Sequence, residues 1–139
     1  MSKKLAENID GLVLDVKWGT GAFMRKKEDS VELAEAMVEV GKLYGKKVVA
    51  LQTDMNQSLG DMIGNALEVQ ETIDILSGKT RPSDLVDLVM ALGAEMLKMA
   101  GLPNNLEKHL QSGAGLAKFN EMVTAQGGDP KAPLPKAKY

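Results

Sequence analysis

The amino-terminal part of the chain alternates between short apolar runs and a longer segment with helical spacing. A β-rich run extends from Leu12 to Trp18 and is closed by the turn residues Gly19 to Gly21. From Glu28 to Tyr44 the apolar positions fall mostly at helical spacing, and Gly45 follows as a stop. Lys47 to Leu51 is a short apolar run of the kind that is buried in parallel sheets. The pattern therefore predicts a βαβ unit with a right-handed crossover.

Most of the remaining chain is predicted to be helical. The predicted helices are Ser2 to Asn8, Ala66 to Leu76, Leu85 to Met99, Leu106 to Gln111 and Gly115 to Ala125. Asp84 and Asp87 place acidic groups near the start of the longest of these helices, where they favour the helix dipole. After Gly127 the composition, with Pro130 and Pro133, is that of a linker.

The two predicted strands are too few for a complete sheet. Both are apolar enough to be buried on both faces, and a two-stranded parallel sheet would leave long unpaired edges. We therefore predict the α/β fold class, with a partial parallel sheet followed by several helices, as a fragment of a larger α/β domain. Residues 1–127 are expected to be part of that domain. Residues 128–139 are expected to be a proline-rich linker towards a missing carboxyl-terminal domain.

Composition mainly excludes classes of function. With 17 Lys and Arg against 19 Asp and Glu, the net charge is -2, and no long run of one sign indicates a nucleic-acid or membrane partner. The absence of Cys excludes disulfides, thiolate metal sites and Cys nucleophiles, and is compatible with the cytoplasm, where we expect the protein. No apolar stretch approaches the roughly 18 residues of a membrane span. The single histidine, His109, is expected to be exposed, and the nine methionines to fill the core.

The turn from Gly19 to Met24 is a first candidate site, because glycine-rich turns after a strand let backbone N–H groups approach a phosphate. However, Met24 occupies the third glycine position of the dinucleotide fingerprint, and the following helix begins too late to close on a ligand. The pattern therefore favours a structural turn that shapes a ligand crevice.

Two polar features follow the second strand. The cluster from Thr53 to Gln57 lies where open α/β sheets place ligands, and its side chains could either cap the next helix or coordinate a cation. Glu71, together with carbonyls of the loop from Gln57 to Gly64, could form an all-oxygen site for a hard cation. A single glutamate on a helix is more often solvated, so the residues alone leave both interpretations of Glu71 open.

An ordered series of short segments covers nearly the whole chain. The segments are Ser2-Lys3-Lys4-Leu5-Ala6, Leu14-Asp15-Val16-Lys17 through Gly19-Thr20-Gly21-Ala22-Phe23-Met24, Leu51-Gln52-Thr53-Asp54-Met55-Asn56-Gln57-Ser58-Leu59-Gly60, Gly64-Asn65-Ala66-Leu67-Glu68-Val69, Leu92-Gly93-Ala94-Glu95-Met96-Leu97 and Met122-Val123-Thr124-Ala125-Gln126-Gly127-Gly128-Asp129. In this order they resemble the thymidine and pyrimidine-nucleoside phosphorylases.

This resemblance implies reversible phosphorolysis of a pyrimidine nucleoside. Inorganic phosphate, the co-substrate, attacks the sugar C1′ and releases the base, leaving a ribose or 2-deoxyribose 1-phosphate. The family also implies a homodimer and no organic cofactor. Catalysis would rest on positioning and on electrostatic stabilisation of an oxocarbenium-like transition state.

The resemblance carries few functional residues onto this chain. Lys3 aligns with a lysine that hydrogen-bonds a base carbonyl. Leu59 and Met62, through their carbonyls, and Glu71 match positions that bind a structural monovalent cation, potassium. A small residue is usual at Met62, but a carbonyl ligand tolerates that change. Trp18 also replaces a smaller residue.

Three hypotheses follow. The first is that the chain is part of a phosphorylase and is inactive alone, because the family's phosphate-binding loop, together with the serine and arginine that accompany Lys3, is not in the sequence. The second is a non-catalytic fragment domain that only folds or self-associates. The third is a related phosphoribosyl-transferring enzyme.

Overall fold

The computed structural model describes residues 1–136, and the last three residues of the predicted linker lie outside them. The elements in chain order are α1 Ser2–Ala6, β1 Gly11–Trp18, α2 Lys27–Leu43, β2 Lys47–Asp54, α3 Asn65–Leu76, α4 Ser83–Met99, α5 Leu106–Gln111 and α6 Ala114–Ala125. Every predicted element is present, which confirms an α/β fold. No helix or strand follows α6 up to residue 136, and the linker stays a prediction.

β1 and β2 form a two-stranded parallel sheet, in register from Gly11 opposite Lys47 to Trp18 opposite Asp54. α2 packs on the face that carries Leu14 and Val16. These two side chains are 7% and 6% exposed, and Ala34 of α2 completes the buried cluster at 8%. The hydrophobic residues of this face therefore make the core of the βαβ unit.

The opposite face of the sheet is less covered than the sequence predicts. On β1 it carries Val13, which is half-buried, and Asp15, which is exposed. Among the described residues, the buried side chains of the strands, Leu14 and Val16, therefore lie on one face only. Val49 and Leu51 of β2 lie on this face and are half-buried, whereas the apolar pattern predicts full burial.

β2 is also longer than predicted, because Gln52, Thr53 and Asp54 continue the strand past Leu51. Pairing with β1 holds these polar residues in the strand, since each lies opposite a residue of β1. The apolar run alone could not show this, because parallel pairing depends on the partner strand.

One close contact fixes how α2 lies on the sheet. Gly41 is buried in α2, and a Cβ placed on it would lie 2.1 Å from Cγ2 of Val48 on β2. Only glycine permits this approach of the helix backbone to the strand.

The chain divides into two compact units, residues 1–59 with 87–104, and residues 60–86 with 105 onward. The first contains the βαβ unit. The second contains α3, α5 and α6, and in it α6 packs on both α3 and α5. The prediction that methionines fill the core holds only in part: Met37 of α2 packs against the buried cluster, whereas Met96 of α4 is 55% exposed.

Arg81 and Glu107 form a bidentate ion pair within the second unit. Arg81 Nη1 and Nη2 donate to the two carboxylate oxygens of Glu107 at 3.0 and 2.8 Å, and Gln111 donates to the same carboxylate at 2.7 Å. These hydrogen bonds, that from Arg81 first, hold the pKa of Glu107 below its ordinary value of 4.5. The pair thus ties the segment before α4 to α5.

We expect the substitution Arg81→Gln to raise the pKa of Glu107 towards 4.5, measured by NMR titration of its carboxyl carbon. Since the folded-state pKa is the lower one, the pair's stabilisation is present above the unfolded pKa and is lost as the pH falls through the folded pKa. Gln111→Ala should give a smaller rise, because its bond is the weaker cause. An unchanged titration of Glu107 in Arg81→Gln would contradict the assignment.

Candidate functional site

The carboxyl ends of β1 and β2 lie side by side, and the loops after them are hydrogen-bonded to each other. Parallel strands end at the same edge of a sheet, and open α/β sheets place ligands at that edge. Met55 N–H donates to the carbonyl of Trp18 at 2.7 Å, directly after the last strand pair. The two sequence candidates, the glycine turn and the polar cluster, therefore meet here.

The glycine turn uses its N–H groups to hold the neighbouring loop. Three consecutive N–H groups donate to acceptors within the protein: Gly19 to Met24 O, Thr20 to Asn56 Oδ1 and Gly21 to Met55 O, each at 2.9 Å. A phosphate cradle needs such N–H groups free for its ligand. The expectation of a structural turn is thus confirmed, and these N–H groups do not form a dinucleotide site.

The same contacts explain two glycines of the turn. Gly19 has a φ of 122°, and a Cβ on it would lie 2.9 Å from the backbone nitrogen of Asn56. A Cβ on Gly21 would lie 2.9 Å from the carbonyl oxygen of Met55. Glycine at both positions therefore allows the two loops to approach each other closely.

The polar cluster does not cap α3, whose N-cap is Gly64 with no side-chain hydrogen bond. Thr53 instead belongs to β2, and its hydroxyl donates to Asp15 Oδ1 on β1. Lys17 Nζ donates to Asp15 Oδ2 at 2.6 Å and to Thr53 Oγ1 at 3.1 Å. This triad of Asp15, Lys17 and Thr53 lies on the open face of the sheet, close to its carboxyl end.

Asp54 organises the loop that follows β2. Its Oδ1 accepts the backbone N–H of Asn56 at 2.7 Å and the side-chain amide of the same residue at 2.6 Å. This orients the amide oxygen of Asn56 towards Thr20 N–H. The cluster's carboxylate and amide are thus used to join the loops.

Trp18 lies against the start of α2, on the covered face of the sheet. The ammonium of Lys27 stands 5.8 Å from the centre of its ring, within the range of a cation–π contact. Beside it, Ser30 is fully buried, donates to Lys27 O at 2.7 Å and accepts from Gln52 Nε2 at 2.7 Å. The large residue at position 18 therefore has a packing role.

Glu71 is buried, contrary to the usual behaviour of a glutamate on a helix. It is 6% exposed, and its Oε1 accepts the backbone N–H of Asp61 at 2.7 Å. A Cβ on Gly60 would lie 2.6 Å from Glu71 Oε2, so the turn closes directly over the carboxylate. None of the ion pairs formed within residues 1–136 involves Glu71.

These features fit a cation bound by Glu71 and backbone carbonyls. A buried carboxylate without a cationic side chain is costly to desolvate, and a bound cation would offset that cost. Leu59 precedes Gly60 in the chain and Met62 follows Asp61, so their carbonyls belong to the turn that Glu71 holds. Across the described ranges no group of three His, Cys, Asp or Glu side chains could hold a metal, so any such site would depend on carbonyl oxygen.

Lys3 lies on α1, where its side chain is exposed. None of the side-chain hydrogen bonds or ion pairs found in the described part of the chain restrains it. An exposed ammonium on a short helix is accessible to a ligand, but its geometry alone identifies none. His109 is likewise exposed, as predicted.

An apolar cleft lies at the other end of the sheet. It has a volume of about 410 Å³ and is lined mainly by Gly11, Leu12 and Val13 of β1 with Met96 and Met99 of α4. Its walls are apolar and it is at the amino ends of the strands, away from the edge where such sheets bind ligands. No helix in the part of the chain that the structure covers is long and apolar enough to cross a membrane.

Comparison with known families gives a match over most of the chain. Residues 1–120 match the family model described as "Glycosyl transferase family, a/b domain". The chain therefore belongs to this glycosyl transferase family, and what it contains is the family's α/β domain or part of it.

Curated relatives refine the comparison. A thymidine phosphorylase of Burkholderia lata is 52% identical over 135 residues, covering 92% of this chain and 31% of the relative. A pyrimidine-nucleoside phosphorylase of Staphylococcus aureus is 46% identical over 151 residues, covering 100% of this chain and 35% of the relative. The chain thus spans about a third of the length of these relatives.

Two residues that connect distant segments of the chain, Ser30 and Asp84, have no such role in the local sequence pattern. Ser30 gave no signal, because a serine in a helix pattern is ordinarily solvated. Asp84 was interpreted only as a favourable charge at a helix start, yet its Oδ2 accepts Gly60 N–H at 3.0 Å. No local pattern pairs residues so far apart in sequence.

Proposed function

We propose that this chain is part of a pyrimidine-nucleoside phosphorylase, acting on thymidine, uridine or both. The observation that carries the proposal is the 52% and 46% identity, across essentially the whole chain, to relatives named thymidine phosphorylase and pyrimidine-nucleoside phosphorylase. In the reaction an oxygen of inorganic phosphate bonds to C1′ as the N-glycosidic bond breaks. The bonding electrons leave with the base, which takes up a proton, and a pentose 1-phosphate remains.

Lys3 is proposed to hydrogen-bond a carbonyl oxygen of the base. As the glycosidic bond breaks, negative charge develops on the pyrimidine, and a nearby ammonium stabilises that charge. The exposure of Lys3 on α1 supports this role, because its ammonium is available to a ligand.

Leu59, Met62 and Glu71 are proposed to hold a structural potassium ion. Support comes from the buried carboxylate of Glu71 and from the turn that closes over it. Potassium prefers oxygen ligands and a weakly charged site, which one carboxylate with carbonyls would supply. The ion would stabilise the loop after β2.

The remaining parts of the proposal concern the assembly. Residues 1–127 would belong to the α/β domain, and the match to the family model up to residue 120 supports a boundary near there. Residues 128–139 would lead into another domain, and the enzyme would be a cytoplasmic homodimer. The 139-residue chain alone would be inactive, because the residues that bind phosphate in the family are not in it.

The assay measures phosphorolysis of thymidine and of uridine, by release of the free base, with the protein purified from its source and with the 139-residue chain. We expect activity in the first and none in the second. In the active protein, Lys3→Ala should lower kcat/KM about tenfold, as loss of a charged hydrogen bond implies.

Lys4→Ala is the matched control, since Lys4 is an exposed neighbour of the same charge on the same helix. It should leave kcat/KM unchanged. Equal losses in the two variants would mean that a general charge effect, not a base contact, is responsible. A source protein that releases no base from either nucleoside would refute the phosphorylase proposal and favour a domain that only folds or self-associates.

A further inference from the structure

Two successive backbone N–H groups in the turn at residues 60 and 61 are held by carboxylates from different helices. Asp61 N–H donates to Glu71 Oε1 of α3 at 2.7 Å. Gly60 N–H donates to Asp84 Oδ2, in the first turn of α4, at 3.0 Å. Glu71 is the carboxylate of the proposed cation site, whereas Asp84 is not among the proposed ligands.

The hydrogen bond from Gly60 N–H to Asp84 fixes the orientation of the whole peptide group between Leu59 and Gly60. The peptide group is planar, and no peptide bond in the described chain is cis. The carbonyl of Leu59 shares its peptide plane with the N–H of Gly60, so the two point in opposite directions. By holding that N–H, Asp84 also fixes the direction of the Leu59 carbonyl, which is one of the proposed cation ligands.

Asp84 is itself held in place. Its second oxygen, Oδ1, accepts the N–H of Leu85 at 2.8 Å. The carboxylate thereby bridges the first turn of a 17-residue helix and the turn before α3. A carboxylate is favourable at this end of a helix, which supports this orientation of Asp84.

We infer that Asp84 is a positioning residue for the cation site, a role that rests on the potassium site proposed above. It does not ligate the ion. It orients the peptide between Leu59 and Gly60 so that the Leu59 carbonyl is aligned before the ion binds. Residues that orient metal ligands from outside typically change metal affinity by about 10–100-fold when they are removed.

The experiment measures the thermal midpoint of the purified protein in increasing KCl, with choline chloride keeping the ionic strength constant. The dependence of the midpoint on potassium gives an apparent affinity. Asp84→Ala should weaken that affinity about tenfold or more. Asp84→Asn, which keeps an oxygen acceptor for Gly60 N–H, should stay within about threefold of the original protein, because the peptide remains oriented.

Asp87→Ala is the control for charge. It removes an exposed carboxylate three residues further along the same helix and should leave the potassium affinity unchanged. If Asp84→Ala does not fold, Asp84→Ser replaces it, since a hydroxyl can still favour the helix start but the side chain is one atom shorter.

The outcomes separate the two levels of the proposal. If the original protein responds to potassium and Asp84→Ala responds equally, or Asp87→Ala weakens binding as much, Asp84 is not a positioning residue and the cation site stands. If the original protein shows no response specific to potassium, the cation site fails and this role fails with it. The phosphorolysis assay is independent of both results.

Discussion

Replacing Gly60 with Ala is expected to lower the free energy of unfolding by about 2 to 5 kcal/mol. Gly60 has a φ of 74°, and an L-residue with a side chain pays about 1–2 kcal/mol for that conformation. The new Cβ would also lie 2.6 Å from Glu71 Oε2 and 3.0 Å from both Cδ and Oε1. Glu71 would have to move, and its bond to Asp61 N–H, of a kind that contributes about 1.5–3 kcal/mol, would be broken. Chemical denaturation gives the measurement.

Gly45→Ala is the matched control for Gly60→Ala. Gly45 has a similar φ of 68°, but no atom lies within 4 Å of the position that its Cβ would take. This variant should show only the backbone cost, about 1–2 kcal/mol. If both variants lose the same stability, the turn does not close tightly on Glu71, and the support for a cradle around that carboxylate is lost.

The second large effect is expected where α2 crosses β2, as a coupling between Gly41 and Val48. Gly41→Ala alone should destabilise the protein by about 1–3 kcal/mol, because its Cβ would overlap Cγ2 of Val48 at 2.1 Å. Val48 is β-branched and stiff, so its methyl group cannot simply rotate away. The same substitution in a protein that already carries Val48→Ala should become neutral or stabilising, since alanine is favoured over glycine within a helix by up to about 1 kcal/mol.

A double-mutant cycle isolates this contact. Unfolding free energies of the two single variants and the double variant should give a coupling of about 2 kcal/mol or more. Additive effects would show that the helix shifts to accommodate the methyl group, so that Gly41 does not determine the approach of α2 to the sheet.

The elements of the fold could be predicted from the sequence because each has a local cause. The apolar run from Leu12 to Trp18 and the helical spacing from Glu28 to Tyr44 correspond to β1 and α2. The predictions that were wrong concern strand ends and burial, which depend on residues distant in sequence. The predicted end of β2 is wrong because residues 52–54 are held by pairing with β1. The apolar pattern predicts burial on both sheet faces, yet the buried strand side chains among the described residues lie on one face only.

The candidate site was predictable in composition and not in geometry. The family resemblance indicates Lys3 as a base contact and Glu71 as a cation ligand, and both roles stay predictions. The residues alone suggested a solvated Glu71, whereas the turn at Gly60 buries it. The bond between Asp84 and Gly60 joins residues that no helical or strand period relates, so it could be found only in three dimensions.

The hydrogen bonds between the loops at residues 19–21 and 55–56 order the carboxyl-end edge of the sheet before any ligand binds. These hydrogen bonds are made within the protein, so the conformational entropy of ordering the two loops is lost on folding and not on binding. Binding of a ligand that contacts these loops therefore does not have to order them, and its interaction free energy is not reduced by that cost. Its binding should therefore show little of the large unfavourable entropy that accompanies the folding of a mobile loop around a ligand.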